Sequence, residues 1–243
     1  MTSSGRRLTL LEHLEELRRR LLVCLVCAAA CACWVFPHSG AVIDRLAAPA
    51  GKLVFLSPAG AFLIRLKIAV FGGAFLALPI LLYQAWSFVV EGLTDGERRP
   101  LLWVLPAAYL LFAAGAALAL FVVVPAALRF LLDFGTPTLR PLMSVDEYLG
   151  FFFFMALAFG LLFQLPIALL FLHRIGVVTR AGLSGYRRHA YLLAFVIAAF
   201  LTPGPDVFSQ FVLAVPTILL YEVSLLAMAL SEPKAAAPAP LPL

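Results

Sequence analysis

Charge is scarce in this sequence. Of 243 residues only 13% are Asp, Glu, Lys or Arg, whereas 63% are hydrophobic, and the mean hydropathy is +1.03. Such a chain lacks the polar side chains to cover its own surface in water, which excludes a soluble domain and defines an integral membrane protein. Cysteine is scarce as well, and all four, Cys24, Cys27, Cys31 and Cys33, lie in the first apolar run. The first three share a helical face without the spacing or polar support of a metal site, so they read as packing or lipid-facing residues. No GxxxxGK(S/T) loop occurs, which argues against ATP hydrolysis by this chain. Gly182-Leu183-Ser184-Gly185 resembles the nucleophile motif of intramembrane proteases. It lies in a basic loop, however, and no histidine follows His189 to act as a base from a later span. No internal repeat of the secondary-transporter kind stands out. The net charge of +5 is no nucleic-acid footprint, because the cations sit in short stretches between apolar spans.

What is present is a series of apolar windows near the roughly 20 residues needed to cross a bilayer. Six are predicted, over residues 21–36, 68–90, 101–125, 148–172, 190–203 and 207–230. The expected fold is therefore all-α, six transmembrane helices in a curved bundle. The last two are expected to be short, joined by the turn Thr202-Pro-Gly-Pro-Asp206. Residues 1–20 form a cytoplasmic amphipathic segment, and residues 231–243, rich in Ala and Pro, a disordered tail. An even number of spans puts both termini on one side. Arg6, Arg7, Arg18 to Arg20, Arg98, Arg99, Arg174, Arg180, Arg187, Arg188 and Lys234 fall on that side; Arg45, Lys52, Arg65, Lys67, Arg129 and Arg140 fall on the other. That excess predicts cytoplasmic termini. Ser4-Gly5-Arg6-Arg7 resembles an export signal, but three acids precede the apolar run, and anchoring of the amino terminus accounts for it better. Pro79, Pro106, Pro125, Pro166 and Pro216 fall within or near the end of spans, where neighbouring helices must satisfy the carbonyls they free. The external stretch 37–67 is too long for a mere connector, and Phe62, Leu63 and Leu66 suit an interfacial helix.

The polar residues need a reason. In His13-Leu-Glu-Glu-Leu-Arg-Arg-Arg-Leu21, apolar Leu10, Leu14, Leu17 and Leu21 form one helical stripe. Glu15 to Arg19 and Glu16 to Arg20 are i,i+4 pairs in the favourable order, as in a salt-bridged helix on the membrane surface. A second cluster, Glu91, Asp95 and Glu97 beside Arg98 and Arg99, lies on the same cytoplasmic side. Retention of positive charge inside explains the arginines but asks for no acids. Two carboxylate segments beside the membrane suit a ligand with guanidinium groups, whose forked bonds lysine cannot reproduce. Within the spans Gln164, Gln210 and Glu222 are costly enough to be site candidates, with helix-to-helix hydrogen bonding as the plainer reading.

These stretches together resemble the TatC family, the multispanning core subunits of the bacterial twin-arginine protein translocase, over nearly the whole chain. The resemblance is carried by HLEELRRRL at 13–21, Tyr83-Gln-Ala-Trp86-Ser-Phe88 leading to Glu97-Arg98-Arg99, Phe163-Gln164-Leu165-Pro166, Leu201-Thr202-Pro203, Asp206 to Gln210, Pro216 and Tyr221-Glu222. It implies that Glu16 and Glu97 receive the paired arginines of export signal peptides, with Arg18 and Phe88 at the same receptor. Thr202 and Gln210 match positions where the family docks the single-span subunits TatA and TatB. Pro49 and Asp206 match external positions. The chain departs from the family in having Gln164 where an acid is common, an extra residue in the 202–206 turn, and Gly60 where glutamate is frequent.

The resemblance implies export of folded proteins across the cytoplasmic membrane, driven by the proton gradient. No covalent chemistry, metal, cofactor or nucleic acid is implied; self-association and contact with membrane lipid are. The alternative is a small-molecule secondary transporter using Gln164 and Glu222 at the midplane.

Overall fold

The computed structural model describes residues 10–47, 54, 57–91, 101–132, 144–201 and 207–231. Of the predicted site residues, Pro49, Glu97, Thr202 and Asp206 lie outside these, as do the predicted tail at 232–243 and the 202–206 turn. Nearly everything described is helical: α1 Leu10–Val35, a 3-10 turn Phe36–His38, α2 Ser39–Ala47, α3 Gly60–Glu91, α4 Leu101–Leu118, a π-helical turn Ala119–Val123, α5 Val124–Leu132, α6 Val145–Leu162, α7 Leu165–Arg174, α8 Arg180–Gly185, α9 Arg187–Leu201 and α10 Val207–Ser231. The chain forms two compact units, residues 1–160 and 161–243.

Among the described residues, five stretches are long and apolar enough to cross a membrane: Leu11–Leu46, Gly60–Phe88, Val104–Phe130, Val145–Arg174 and Gln210–Leu230. The sixth predicted span is α9, 15 residues long. Shortness is confined to that helix. Its partner α10 runs for 25 residues, because its apolar sequence continues without a breaker that the helix does not absorb. No Gly or Pro interrupts Leu10–Val35, so the described part of the predicted amphipathic segment and the first span are one helix. At ~1.5 Å per residue, α1 and α3 both exceed the ~30 Å hydrocarbon core. Their charged or polar ends therefore project past it.

The expectation of an interfacial helix around Phe62, Leu63 and Leu66 is corrected. These residues form the first turns of the long helix α3, and the short helix within the stretch 37–67 is α2 instead. Apolar residues at helical spacing serve a spanning helix as well as a surface one, and here no breaker separates them from the span.

The prolines act locally. Pro79, Pro106 and Pro216 sit inside unbroken helices. Pro125 follows a π turn, in which the Val124 N–H bonds the Ala119 carbonyl five residues back. Widening the turn there makes room for a ring that would strike the carbonyl of the preceding turn. Pro166 lies just after a true break: the Gln164 N–H bonds Leu161 O at 3.0 Å, and the Gln164 carbonyl accepts from Ala168 N at 3.0 Å. The helix α7 ends at Arg174 and is followed by Gly176, whose φ of +76° suits only glycine well, with Gly176 N–H on His173 O and Val177 N–H on Leu172 O.

The first unit is built on the antiparallel pair α1 and α3. A Cβ on Gly73 would lie 2.5 Å from the backbone nitrogen of Ala32, so the two backbones nearly touch there. Small residues at such crossings let membrane helices gain dispersion contacts where no hydrophobic driving force separates them from lipid. Farther along, Leu78, Phe112, Ala116 and Ala156 form a buried cluster. Gly160 meets the Phe112 ring so closely that a Cβ would stand 2.5 Å from it, and Phe71 stacks on Phe153 at 5.0 Å. On the predicted external side Tyr148 Oη donates to Leu46 O at 3.0 Å, and Lys67 pairs with Asp146 at 2.6 Å.

Candidate functional site: a carboxylate cleft between the first two long helices

Antiparallel packing brings the amino-terminal turns of α1 against the carboxy-terminal turns of α3, although some 64 residues separate Arg20 from Gln84. A cleft of about 620 Å³ opens there, lined by Glu12, Glu15, Glu16, Arg19, Arg20, Val23, Tyr83 and Gln84. Three carboxylates spaced at helical intervals thus share one opening. The aromatic ring of Phe88 stacks on His13 with centroids 4.3 Å apart and planes 19° apart, and this contact pins the start of α1 to the end of α3.

Glu16 is held by Arg20. Arg20 donates from Nε at 2.8 Å and from Nη2 at 2.6 Å, both to Glu16 Oε1, and its Nη1 donates to Gln84 Oε1 at 3.0 Å. The side chains of Arg20 and Glu16 are 15% and 20% exposed. Partial burial makes the pair stronger than a surface ion pair, because less water competes for either charge. The cleft already shows what it can do chemically, which is to bind a planar guanidinium through a carboxylate and an amide.

Of the predicted receptor residues, the structure brings Glu16 and Phe88 to this pair of helices. Arg18 goes elsewhere, onto an apolar groove with Leu14, Leu17, Leu21 and Leu25 of α1 and Leu81 of α3. Two residues along a helix turn by roughly 200°, so Arg18 and Glu16 face opposite ways. Arg20 and Gln84 were not among the predicted site residues. Arg20 was readable as the i,i+4 partner of Glu16; Gln84 lay in the Tyr83 to Phe88 motif, but only helix packing reveals whom it meets.

Glu222 and Gln210 of the second unit bond to a neighbouring helix. Glu222 on α10 accepts from Arg187 Nη2 at 2.9 Å and from Tyr191 Oη at 2.5 Å, both on α9. Gln210 Nε2 donates to Phe195 O at 3.0 Å, and Tyr221 Oη donates to Leu183 O at 2.7 Å. Polar bonds therefore join α9 and α10 near both ends, the interhelical hydrogen bonding expected of polar groups in a membrane. Gln164 stands at the break between α6 and α7 and is part-buried. The Gly182 N–H is capped by Thr179 Oγ1 at 3.1 Å, so the protease-like tetrapeptide is an ordinary short helix.

The charges of Arg187 and Glu222 are 46% and 35% exposed, which lowers what their pairing contributes. Glu222→Leu is expected to destabilise the protein by about 1–2 kcal/mol, by leaving Arg187 and Tyr191 without their acceptor. Adding Arg187→Leu should recover most of that loss. Thermal unfolding of the purified protein and its two single and one double variants measures this coupling, and strict additivity would refute it.

Long apolar helices with a carboxylate-lined cleft at one end of the first helix pair define a multispanning helical membrane protein. Comparison with known proteins makes the assignment specific. Residues 12–216 match the family profile of the Sec-independent protein translocase protein TatC. The chain is 37% identical over 231 residues to the TatC protein of Carboxydothermus hydrogenoformans, covering 93% of this chain and 95% of that one. With the TatC protein of Aquifex aeolicus it shares 38% over 224 residues, 89% and 92% of the two chains. A crystal structure described as the twin-arginine translocase receptor TatC superposes with a TM-score of 0.80 at 37% identity, over 90% of this chain and 99% of that chain. The chain belongs to the TatC family. It is a multi-pass membrane component of a protein translocase, and these relatives lend nothing to the small-molecule transporter reading.

Proposed function

We propose that the cleft between α1 and α3 is the receptor for the paired arginines of twin-arginine signal peptides, with Glu16 as one carboxylate and Glu97 as the other. The observation that carries this reading is the Arg20 guanidinium bound at Glu16 and Gln84, which supports guanidinium recognition there by way of the chain's own side chain. Both Arg20 bonds to Glu16 land on Oε1, so the second carboxylate oxygen is not engaged by Arg20. Phe88 supports the receptor through its stack on His13, and Arg18, on the other face of α1 beside the apolar groove, is proposed to meet the signal peptide there.

In the cell the protein works in the bacterial cytoplasmic membrane with both termini inside. It hands folded precursors to a translocation site built with TatA- and TatB-type single-span subunits and driven by the proton gradient. Thr202 and Gln210 are the proposed contacts with those subunits. Pro49 and Asp206 shape the external side, Gln164 and Glu222 hold the helices that surround them, and copies of the chain associate. The role is recognition and assembly, without covalent chemistry.

The test is cross-linking of the membrane-inserted protein to a signal peptide carrying Arg-Arg and to its Lys-Lys counterpart. The Arg-Arg peptide should cross-link, the Lys-Lys peptide should do so at least tenfold less, and Glu97→Ala should lose the Arg-Arg adduct while remaining inserted. Equal labelling by both peptides, or a full adduct in Glu97→Ala, would remove the receptor from this cleft.

A further inference from the structure

The Glu16 carboxylate is not waiting open. Its Oε1 carries two N–H bonds from Arg20, and the same guanidinium is anchored on a second helix by Gln84. We infer that Arg20 is a resident competitor for the receptor: it occupies Glu16 while the receptor is empty, and a cargo arginine binds by taking over the carboxylate from it. This rests on the reading of Glu16 as a receptor carboxylate and adds how that receptor discriminates.

Three observations support it. The contact has the geometry of ligand recognition, with one guanidinium read at once by a carboxylate and an amide oxygen on different helices. It is sheltered, both side chains being at most 20% exposed, so the energy at stake exceeds that of a surface pair. It also adjoins the cleft, whose lining includes both Arg20 and Glu16, so an incoming group reaches the carboxylate without unpacking α1 from α3.

The consequence is selectivity. An open, partly buried carboxylate attracts any cation, lysine included. Against Arg20, a newcomer must match charge-assisted N–H bonds already made. Arginine can match them with its planar fork, whereas an ammonium ion cannot place two donors in that geometry. A built-in competitor subtracts the same free energy from every ligand, so it sets a threshold of affinity that the stronger arginine contact clears and the weaker ammonium contact does not. Arg20 does not leave the site unsatisfied on exchange, because Gln84 and the neighbouring Glu12 and Glu15 of the cleft lie within the same opening.

The experiment measures binding of the Arg-Arg and Lys-Lys peptides to the full-length protein in detergent, for the wild type and for Arg20→Gln, Gln84→Leu and Glu16→Ala. Arg20→Gln should tighten both peptides about tenfold, the worth of roughly one charge-assisted bond, and so bring the Lys-Lys peptide to an affinity it lacks in the wild type. Gln84→Leu, which loosens Arg20 without removing a charge, should shift binding in the same direction by a smaller factor. It also keeps the test decisive should Arg20→Gln fail to fold. Unchanged or weakened binding of both peptides in folded Arg20→Gln, or in Gln84→Leu alone where Arg20→Gln is not obtained, would overturn the competitor and make Arg20 a positioning residue. Wild-type binding in Glu16→Ala would instead remove the receptor reading itself, and with it the exchange.

Discussion

Gly73→Leu is expected to prevent stable folding of the first unit, at a cost of about 3 kcal/mol or more. Its Cβ alone would stand 2.5 Å from Ala32 N and 2.6 Å from Ala32 Cα. These are backbone atoms of a helix, so no rotamer change relieves the clash, and α1 must move bodily from α3. Overpacking typically costs about 1–3 kcal/mol where side chains can yield. Here they cannot. The same interface carries the stack of His13 on Phe88 and the bond from Arg20 to Gln84, so the helix separation should also remove the cleft. Gly72→Ala is the matched control. Its Cβ would meet only the Val35 side chain, 3.0 Å away, which can shift by a few tenths of an ångström. Size-exclusion profiles and melting temperatures in detergent decide the matter. A monodisperse Gly73→Leu protein that melts near the wild type would show that the crossing is looser than the structure has it.

How much of this was legible beforehand varies with the range of the interaction. Within a helix, the i,i+4 rule paired Glu16 with Arg20 correctly from spacing alone. Local chemistry also foretold a disturbance at Pro166, which the structure places in a break after Gln164, and another near Pro125, which it meets with a π turn. Hydropathy located the spans but not their ends. Phe62, Leu63 and Leu66 looked like a surface helix, yet nothing in their pattern distinguishes a surface turn from the outer turns of a spanning helix. Interactions between helices were the least readable. Gln84 as the second anchor of Arg20, Gly73 as a backbone contact and Phe195 O as the acceptor for Gln210 all depend on which helix faces which. Arg18 is a different case. The family resemblance joined it to Glu16 as a receptor residue, while the rotation per residue sets the two on opposite faces of α1 and places Arg18 beside the apolar groove.

Glu16→Ala is expected to separate binding from stability more sharply than any other change. Stability should fall by no more than about 1 kcal/mol, since an i,i+4 pair on one helix contributes little to folding and Gln84 still holds Arg20. Binding of an Arg-Arg peptide should fall by roughly 100-fold, for two reasons that add. The cargo arginine loses a partly desolvated carboxylate, worth about 1.5–3 kcal/mol. It also meets Arg20, now a cation in the cleft without Glu16 beside it, and like charges at short range in a low-dielectric setting repel. The second cause gives the test its resolution. If repulsion matters, Glu16→Ala with Arg20→Gln should bind the peptide severalfold better than Glu16→Ala alone, although it has lost one more potential hydrogen-bonding group. Binding titrations beside thermal unfolding of the same samples measure both quantities. A parallel loss of stability and binding would mean that Glu16 holds α1 in place rather than receiving the ligand. Equal binding by the single and double variants would leave the carboxylate as the receptor while removing the charge of Arg20 from the energetics of the site.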